Sequence, residues 1–447
     1  MTNRAGENES LKAGVLHHRA MEAVVWAMPR MNYKANRDGH FANSGDYNNV
    51  FYYSKMQSWK FQLATPNDTT PYINAFWNTE NGPVVIEIPA ATSEVGVFGT
   101  LMDSWHRPLE DVGPKGADKG RGAKYLLLPP GYTDEVPDGN IVINQQTYQG
   151  WFCFRPIIPD SSQKSVDIAA NYVKDLKVYY LNAPTETRYI DLSGKLVESI
   201  SVFDDTYFDH LNEMVQSEPI EEKDQVMMGM LKSLGIKKGE AFNPSPEQRK
   251  ILAAAARDAH DYMLDMYHNV LLPPYYEGKH WTNIVNESVM ETGFTFQYPT
   301  YLDLDNRGAA YYAVTTSVKN FGAATYYLSG AKDNKGEYLD GGKLYHLKVK
   351  ANVPAKDFWS AVAYNLDTAA WIRDMPKVGV SSKNPDLQIN DDGTIDLYFG
   401  PEVPGSMESN WVPTRAGERF FLLFRFYGPE PAVFDKSWQL DDIKLAD

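Results

Sequence analysis

The sequence predicts an α+β protein: two antiparallel β-sandwich or jelly-roll-like domains joined by a helical segment. Three observations carry this. Short strand-like runs separated by Gly, Pro, Asn and Asp fill residues 40–160 and return after residue 320. Between them the apolar pattern switches to helical spacing. The chain, at 447 residues with 13% aromatic side chains, is too long for one ordinary core and rich in strand formers. The expected layout is a helical segment at 1–39, a β domain at 40–160, a helical connection at 161–320 and a second β domain at 321–447.

In chain order, Leu11, Val15, Ala20, Val24, Val25 and Ala27 predict a helix over 10–29, stopped by Pro29. Val84 to Ile88, Val97 to Leu101, Tyr125 to Leu128, Ile141 to Ile143 and Trp151 to Phe154 read as strands. Lys164 to Val178, Asp204 to Gln216 and Lys223 to Leu234 carry helical periodicity, the last closed by Gly235. Ser245-Pro246-Glu247-Gln248 is a capping box that opens a helix running to about His268. A further helix is expected over 299–318. Tyr345 to Val349, Phe358 to Tyr364, Thr394 to Phe399 and Phe420 to Phe426 are strands, and Asp392-Gly393 reads as a tight hairpin. In the last strand, alternation puts Phe420, Leu422, Phe424 and Phe426 on one face and Phe421, Leu423, Arg425 and Tyr427 on the other.

The segment Thr65-Pro66-Asn67-Asp68-Thr69-Thr70-Pro71-Tyr72 is the most informative stretch. Prolines stiffen it, carboxamide, carboxylate and hydroxyl groups crowd it, and it leads through Asn74-Ala75-Phe76-Trp77 into the apolar run at Val84. An Asx turn that caps its own backbone accounts for these residue types as well as a site does. The segment resembles the hallmark of a bacterial domain of unknown function, family 1254. The likeness continues through Phe98-Gly99-Thr100-Leu101-Met102-Asp103-Ser104-Trp105, Lys124 to Gly131 and Phe154-Arg155. Leu339-Asp340-Gly341, Asp357-Phe358-Trp359-Ser360, Asn390 to Gly393, Asn410-Trp411-Val412-Pro413 and Phe424 to Tyr427 resemble its usual fusion partner, family 1214. The family more often shows an Arg where Asp68 stands. The resemblance implies a fold and an arrangement of domains; it brings no established activity.

Net charge is −15 with a pI near 5.1 and no basic cluster, which excludes nucleic acid and anionic lipid as main partners. The single cysteine, Cys153, rules out an internal disulfide and a cysteine-based zinc site, and its aromatic strand reads as a buried, inert thiol. No run approaches a membrane span. Met1-Thr2-Asn3-Arg4-Ala5-Gly6-Glu7 lacks a signal-peptide core. Proteins resembling this one often carry an export signal, so the expectation is a periplasmic protein if the chain is a mature form and a cytoplasmic one otherwise. The expected partners are a small-molecule ligand or substrate and, through exposed aromatics, a second copy of the chain.

Candidate chemistry centres on Asp68, Asp103 and His106 as proton-transfer groups. Asp103 and His106 stand three apart and share a site if the strand ends in a helical turn, and Asp68 with Asp103 would make a carboxylate pair. Asn67, Thr69, Tyr72, Trp77, Trp105 and Arg155 are the candidate substrate-binding residues. For Arg155 a structural ion pair with Asp68 or Asp103 is favoured over a clamp on a substrate carboxylate. Arg425 and Tyr427, with Asn410-Trp411, form a parallel constellation, read as an Arg held by carbonyls and Tyr hydroxyls. His17 and His18 point apart on a helix, and His260 and His268 belong to no His-Glu-x-x-His motif, so no metal site is assigned. The residues specify no cofactor. Gly-x-Ser-x-Gly, phosphate-binding-loop and dinucleotide-binding signatures are absent. Two functions remain: a hydrolase-like enzyme on a small organic or glycan-like substrate, or a non-catalytic ligand-binding or envelope-associated protein.

Overall fold

The structure, a computed structural model, describes residues 3–319 and 325–446. Met1, Thr2 and the expected start of the second β domain at residue 321 lie outside the described residues. The fold is α+β. The first sandwich pairs a six-stranded sheet with a four-stranded one. The larger sheet runs Tyr189–Asp191, Val50–Tyr52, Ile73–Asn78, Gln149–Ile157, Gly96–Asp103, Pro108–Val112. The smaller runs Lys177–Tyr180, Val84–Ile88, Ala123–Leu128, Ile141–Asn144. Pairing is mainly antiparallel, with parallel pairs between Val50–Tyr52 and Tyr189–Asp191 and between the strands of Tyr125 and Ile141. This sandwich recruits Lys177–Tyr180 and Tyr189–Asp191 from the stretch that the sequence gives to the helical connection.

The second sandwich is built round the long strands Ala355–Asn365 and Arg419–Pro429, flanked by Thr325–Gly330 and Gly379–Ser381 and faced by Tyr345–Val349 and Ile395–Gly400. Asp392-Gly393 does form a turn, but the strand after it pairs with Tyr345–Val349 and Trp411–Pro413, so it closes no hairpin. Alternation sets the layers in both sandwiches. Ile73, Ala75 and Trp77 join the first sandwich core, whereas Tyr72 and Phe76 face outward from it. Leu422, Phe424 and Phe426 fill the second core, and Phe421 and Leu423 face the same outer layer as Tyr72. The two outward faces and the helices share this third core, which welds the halves together through apolar burial.

Side-chain caps open some of the helices, whereas Tyr207–Ser217 and Gln225–Ser233 start without one. Ser245 accepts from the Gln248 N–H at the start of Pro246–Asp265, but the Gln248 side chain donates to the Leu234 carbonyl at 3.0 Å, so only the N-cap half of the expected box forms. The N-terminal helix spans Asn3–Phe41 and does not stop at Pro29. A mid-helix proline removes one donor and crowds the carbonyl four residues back, which is Val25. Donors from other helices reach the two neighbouring carbonyls: Arg307 Nη2 bonds that of Trp26 at 2.7 Å and Tyr207 Oη that of Val24 at 3.3 Å. Gly308 permits this approach, since a Cβ there would sit 2.9 Å from the Val25 carbonyl oxygen. The helix expected over 299–318 is shorter, Leu304–Ala313, and buried from Asn306 onward. Among the described residues, no helix is long and apolar enough to cross a membrane.

Candidate functional site

The opening motif is an Asx turn, and Asn67 organises it. Asn67 Oδ1 accepts from the N–H groups of Thr69 and Thr70, both at 3.0 Å, and from their hydroxyls at 3.1 and 3.3 Å. Its own N–H and Nδ2 donate to Tyr72 Oη at 2.9 and 2.8 Å. Asn67 is thus a structural residue. Asp68, next to it, projects half-buried, and its Oδ1 is buried without a hydrogen-bond partner. Burial pushes the Asp68 carboxyl above the usual carboxylate range; Arg425 pulls it back only in part.

Two sheets close over this turn. From the first sandwich come Tyr72 and Arg155, with the guanidinium carbon 5.6 Å from the Tyr72 ring centre. From the second come Tyr327, Arg425 and Ser360, register partners across three neighbouring strands, with Tyr427 two residues beyond. Arg425 Nη2 donates to the carbonyls of Thr65 and Pro66 at 2.9 and 3.3 Å, while its Nε and Nη1 have no partner. Arg155 lies near enough to Tyr327 for its charge to act on the phenol. Among the described residues neither guanidinium makes an ion pair with a carboxylate. Burial raises the Tyr327 phenol, but Arg155 and Arg425 outweigh it and hold it below its ordinary value. The Tyr427 phenol goes the other way, to about 12 by burial, with Thr69 Oγ1 3.4 Å from it. Asp68, Arg155, Tyr327 and Tyr427 are all half-buried, so the seam reaches solvent.

Residues 48–180 match the family described as protein of unknown function DUF1254, and residues 324–431 the one described as protein of unknown function DUF1214. The chain is a DUF1254–DUF1214 fusion. Asp68, Tyr72 and Arg155 lie in the first matched region and Tyr327, Arg425 and Tyr427 in the second, so each wall of the seam comes from one family's domain. The fusion is similar in fold to the crystal structure of the VPA0106 protein from Vibrio parahaemolyticus, at 16% identity and TM-score 0.56, covering 97% of this chain and 100% of that one. An uncharacterised protein from Burkholderia cenocepacia aligns at 12% identity and TM-score 0.41 over 99% of this chain and 96% of that one. No curated protein matches the fusion.

The remaining candidate residues of the fusion fall elsewhere. Asp103 caps its own turn, accepting from the N–H groups of Trp105 and Arg107, both at 2.9 Å, and from Arg107 Nε at 2.6 Å. His106 stands at φ 59° with both ring nitrogens unpartnered, packed on Trp151 and Tyr311 at 5.3 and 5.1 Å. Burial drives its imidazole down to about 3. The turn therefore brings Asp103 to Arg107 and turns the His106 ring away, and no hydrogen bond or ion pair joins Asp68 to either among the described residues. Trp105 is held between the guanidiniums of Arg30 and Arg307, at 4.2 and 5.0 Å. Trp77 points into the first sandwich core and donates to Gln145 Oε1 at 2.9 Å. The expected ion pair of Arg155 with Asp68 or Asp103 is not made.

Sequence reasoning placed Arg425 in a structural role and did not single out Tyr327. The carbonyls expected for Arg425 exist, but they belong to the opening turn of the other domain. Period-two alternation carried a usable signal, since it already separates Tyr72 from Trp77. Chemically, the seam offers two fixed cations, one phenol of lowered pKa and one carboxyl of raised pKa. That set can hold an anion and can exchange a proton beside it.

Proposed function

We propose that the fusion binds a small molecule carrying an anionic group in the seam between its two domains, with Arg155 and Arg425 as anchors. The observation that carries this reading is a pair of guanidiniums without a carboxylate partner, one of them with two buried, unbonded nitrogens. Buried cations are normally paired, because leaving one unpaired costs several kcal/mol. A ligand carboxylate, sulfonate or phosphate supplies the missing acceptor, and a planar guanidinium suits such groups. The reading agrees with the second of the two functions left open by the sequence.

A thermal-shift and calorimetric screen with acetate, benzoate, phosphate and a neutral glycoside tests it. Anions should raise the melting temperature of wild type, a ligand at a hundredfold excess over Kd adding about 2.7 kcal/mol. The shift should vanish in Arg425→Met. A shift that survives both Arg425→Met and Arg155→Met, or no anion response in wild type, would sink the proposal.

A hydrolase-like reading has one observation of its own: Tyr327 and Asp68 are displaced in opposite directions within one site, the pattern of an acid–base pair. It uses Asp68 but replaces Asp103 and His106 with Tyr327. Turnover of a small carboxylate ester by wild type, abolished in Tyr327→Phe with binding retained, would support it; unchanged turnover in Tyr327→Phe would remove it.

A further inference from the structure

Below the seam, the same sheet face carries polar groups that the fold leaves without partners. Asn74 follows Tyr72 by two residues and Cys153 precedes Arg155 by two, so the face continues inward about 7 Å from the anchors. Asn74 lies opposite Cys153 in register, and neither its Oδ1 nor its Nδ2 is bonded. Tyr53, whose hydroxyl is also unpartnered, is close enough to interact with Cys153 and Tyr72.

The N-terminal helix supplies the opposite wall. Tyr33, Asn36 and His40 are spaced three and four apart and share one helix face. Tyr33 Oη, both side-chain polar atoms of Asn36 and His40 Nε2 have no partner. Ring contacts join the walls: His40 is 5.0 Å from Phe51 and 5.2 Å from Phe76, and Tyr33 is 6.0 Å from Phe76. Phe51 is itself the register partner of Asn74. Asn36 and Asn74 are each 1% exposed, and Tyr33 and His40 are wholly buried.

Each unsatisfied buried polar group is costly, and native interiors contain few. Five such residues stand on two walls that meet through Phe51 and Phe76, and one shared partner would satisfy them. None carries a charge at neutral pH: burial lowers the His40 imidazole to about 4, and burial raises the Tyr33 and Tyr53 phenols. Carboxamides, phenols and a neutral imidazole both donate and accept, as sugar hydroxyls do. Phe51 and Phe76 offer apolar faces beside them.

We propose that Tyr33, Asn36, His40, Tyr53 and Asn74 form an inner subsite for the uncharged, polyhydroxylated part of the ligand whose anionic group lies between Arg155 and Arg425. The ligand class is a sugar acid or a comparably hydroxylated carboxylate. This deepens the anion reading and rests on it for the placing of the charged end.

Calorimetry with D-glucuronate, propionate and methyl β-D-glucoside tests it on wild type, Asn74→Leu, Asn36→Leu and Arg425→Met. Wild type should bind glucuronate more tightly than propionate. Asn74→Leu should weaken glucuronate about tenfold, the loss of one or two hydrogen bonds, and leave propionate unchanged. Its melting temperature should be equal to or above that of wild type, because an unsatisfied amide has been replaced by an apolar group of similar size. Asn36→Leu, on the other wall, reads the same effect if Asn74→Leu does not fold. The inference is overturned if glucuronate and propionate bind alike, if both leucine variants keep the preference, or if neither sugar binds. Failure of the anion reading looks different: glucuronate and the glucoside bind alike, and Arg425→Met alters neither.

Discussion

Arg425 Nη2 donates to the Thr65 carbonyl at 2.9 Å, and Thr65 holds a left-handed backbone, φ 45°, in order to present it. A β-branched residue pays a steric penalty in that region and keeps it only when its surroundings enforce it. They do so here through both ends of the residue. Its N–H donates to the Ala369 carbonyl and its hydroxyl to the Ala313 carbonyl, each at 2.8 Å. The turn that carries Asp68 is therefore shaped by the helical segment and the second sandwich as much as by its own prolines.

Arg425→Met separates anchor from strut. The substitution loses the bonds to Thr65 and Pro66 but removes a buried charge with two unbonded nitrogens. Those effects oppose each other, so urea denaturation should find stability within about 1 kcal/mol of wild type. A loss above about 3 kcal/mol would make Arg425 a structural residue, as the sequence alone suggested.

Asn67→Ala and Asp68→Asn should part company. Asn67 Oδ1 holds the turn by four hydrogen bonds, and removing it should cost about 2–4 kcal/mol. Asp68 has the opposite sign. Its folded pKa is raised, so above the unfolded value near 4 the unfolded chain ionises more readily than the native one, and the carboxyl destabilises the fold. Asp68→Asn should be at least as stable as wild type at pH 7, with the gain fading as pH falls from the raised folded value and gone below the unfolded one. A destabilised Asp68→Asn at neutral pH would show the carboxylate to be structural.

What the sequence made legible was local. The N-cap at Ser245 and the two faces of the strand through Arg425 depend on residues a few positions apart and came out as read, although the Gln248 side chain turns to the Leu234 carbonyl and leaves the capping box half formed. The Asn67 turn was legible for the same reason, as the Asx alternative. The seam was not legible, because Arg425 meets Thr65 across 360 positions, and no spacing rule links strands of different sandwiches. Asp103 and His106 misled through proximity. The left-handed backbone at His106 swings the ring off the carboxylate beside it, and the Glu221 that completes the Arg107 pair lies 114 residues away. Pro29 misled because the helix that carries it is buried against other helices, and that packing outweighs one lost hydrogen bond.

His106 should act as an acid-sensitive strut. Its folded pKa lies near 3, against about 6.5 unfolded. Above pH 6.5 both states are neutral and the contribution is fully present; between 6.5 and 3 only the unfolded chain takes up the proton, so stability falls as pH falls. His106→Asn keeps a residue tolerant of positive φ and removes the titration. Its stability should depend less steeply on pH between 6 and 4 than wild type, with anion binding at pH 7 retained. An unchanged slope would contradict the buried-neutral assignment, and loss of binding would return His106 to the site.

Tyr327 offers a spectroscopic reading of the seam. With two guanidiniums beside it, its phenol should ionise below the ordinary value near 10, whereas Tyr427, buried on the same face, should ionise near 12. Tyrosinate absorbance followed against pH should show an early phase missing in Tyr327→Phe. A bound anion partly neutralises Arg155 and Arg425, so the phase should move to higher pH when a saturating carboxylate is added. A neutral ligand leaves those charges in place and should not move it. An early phase that persists in Tyr327→Phe would assign the low phenol to another residue. A phase that ignores the carboxylate would separate Tyr327 from the anion and leave the two arginines without the partner their burial calls for.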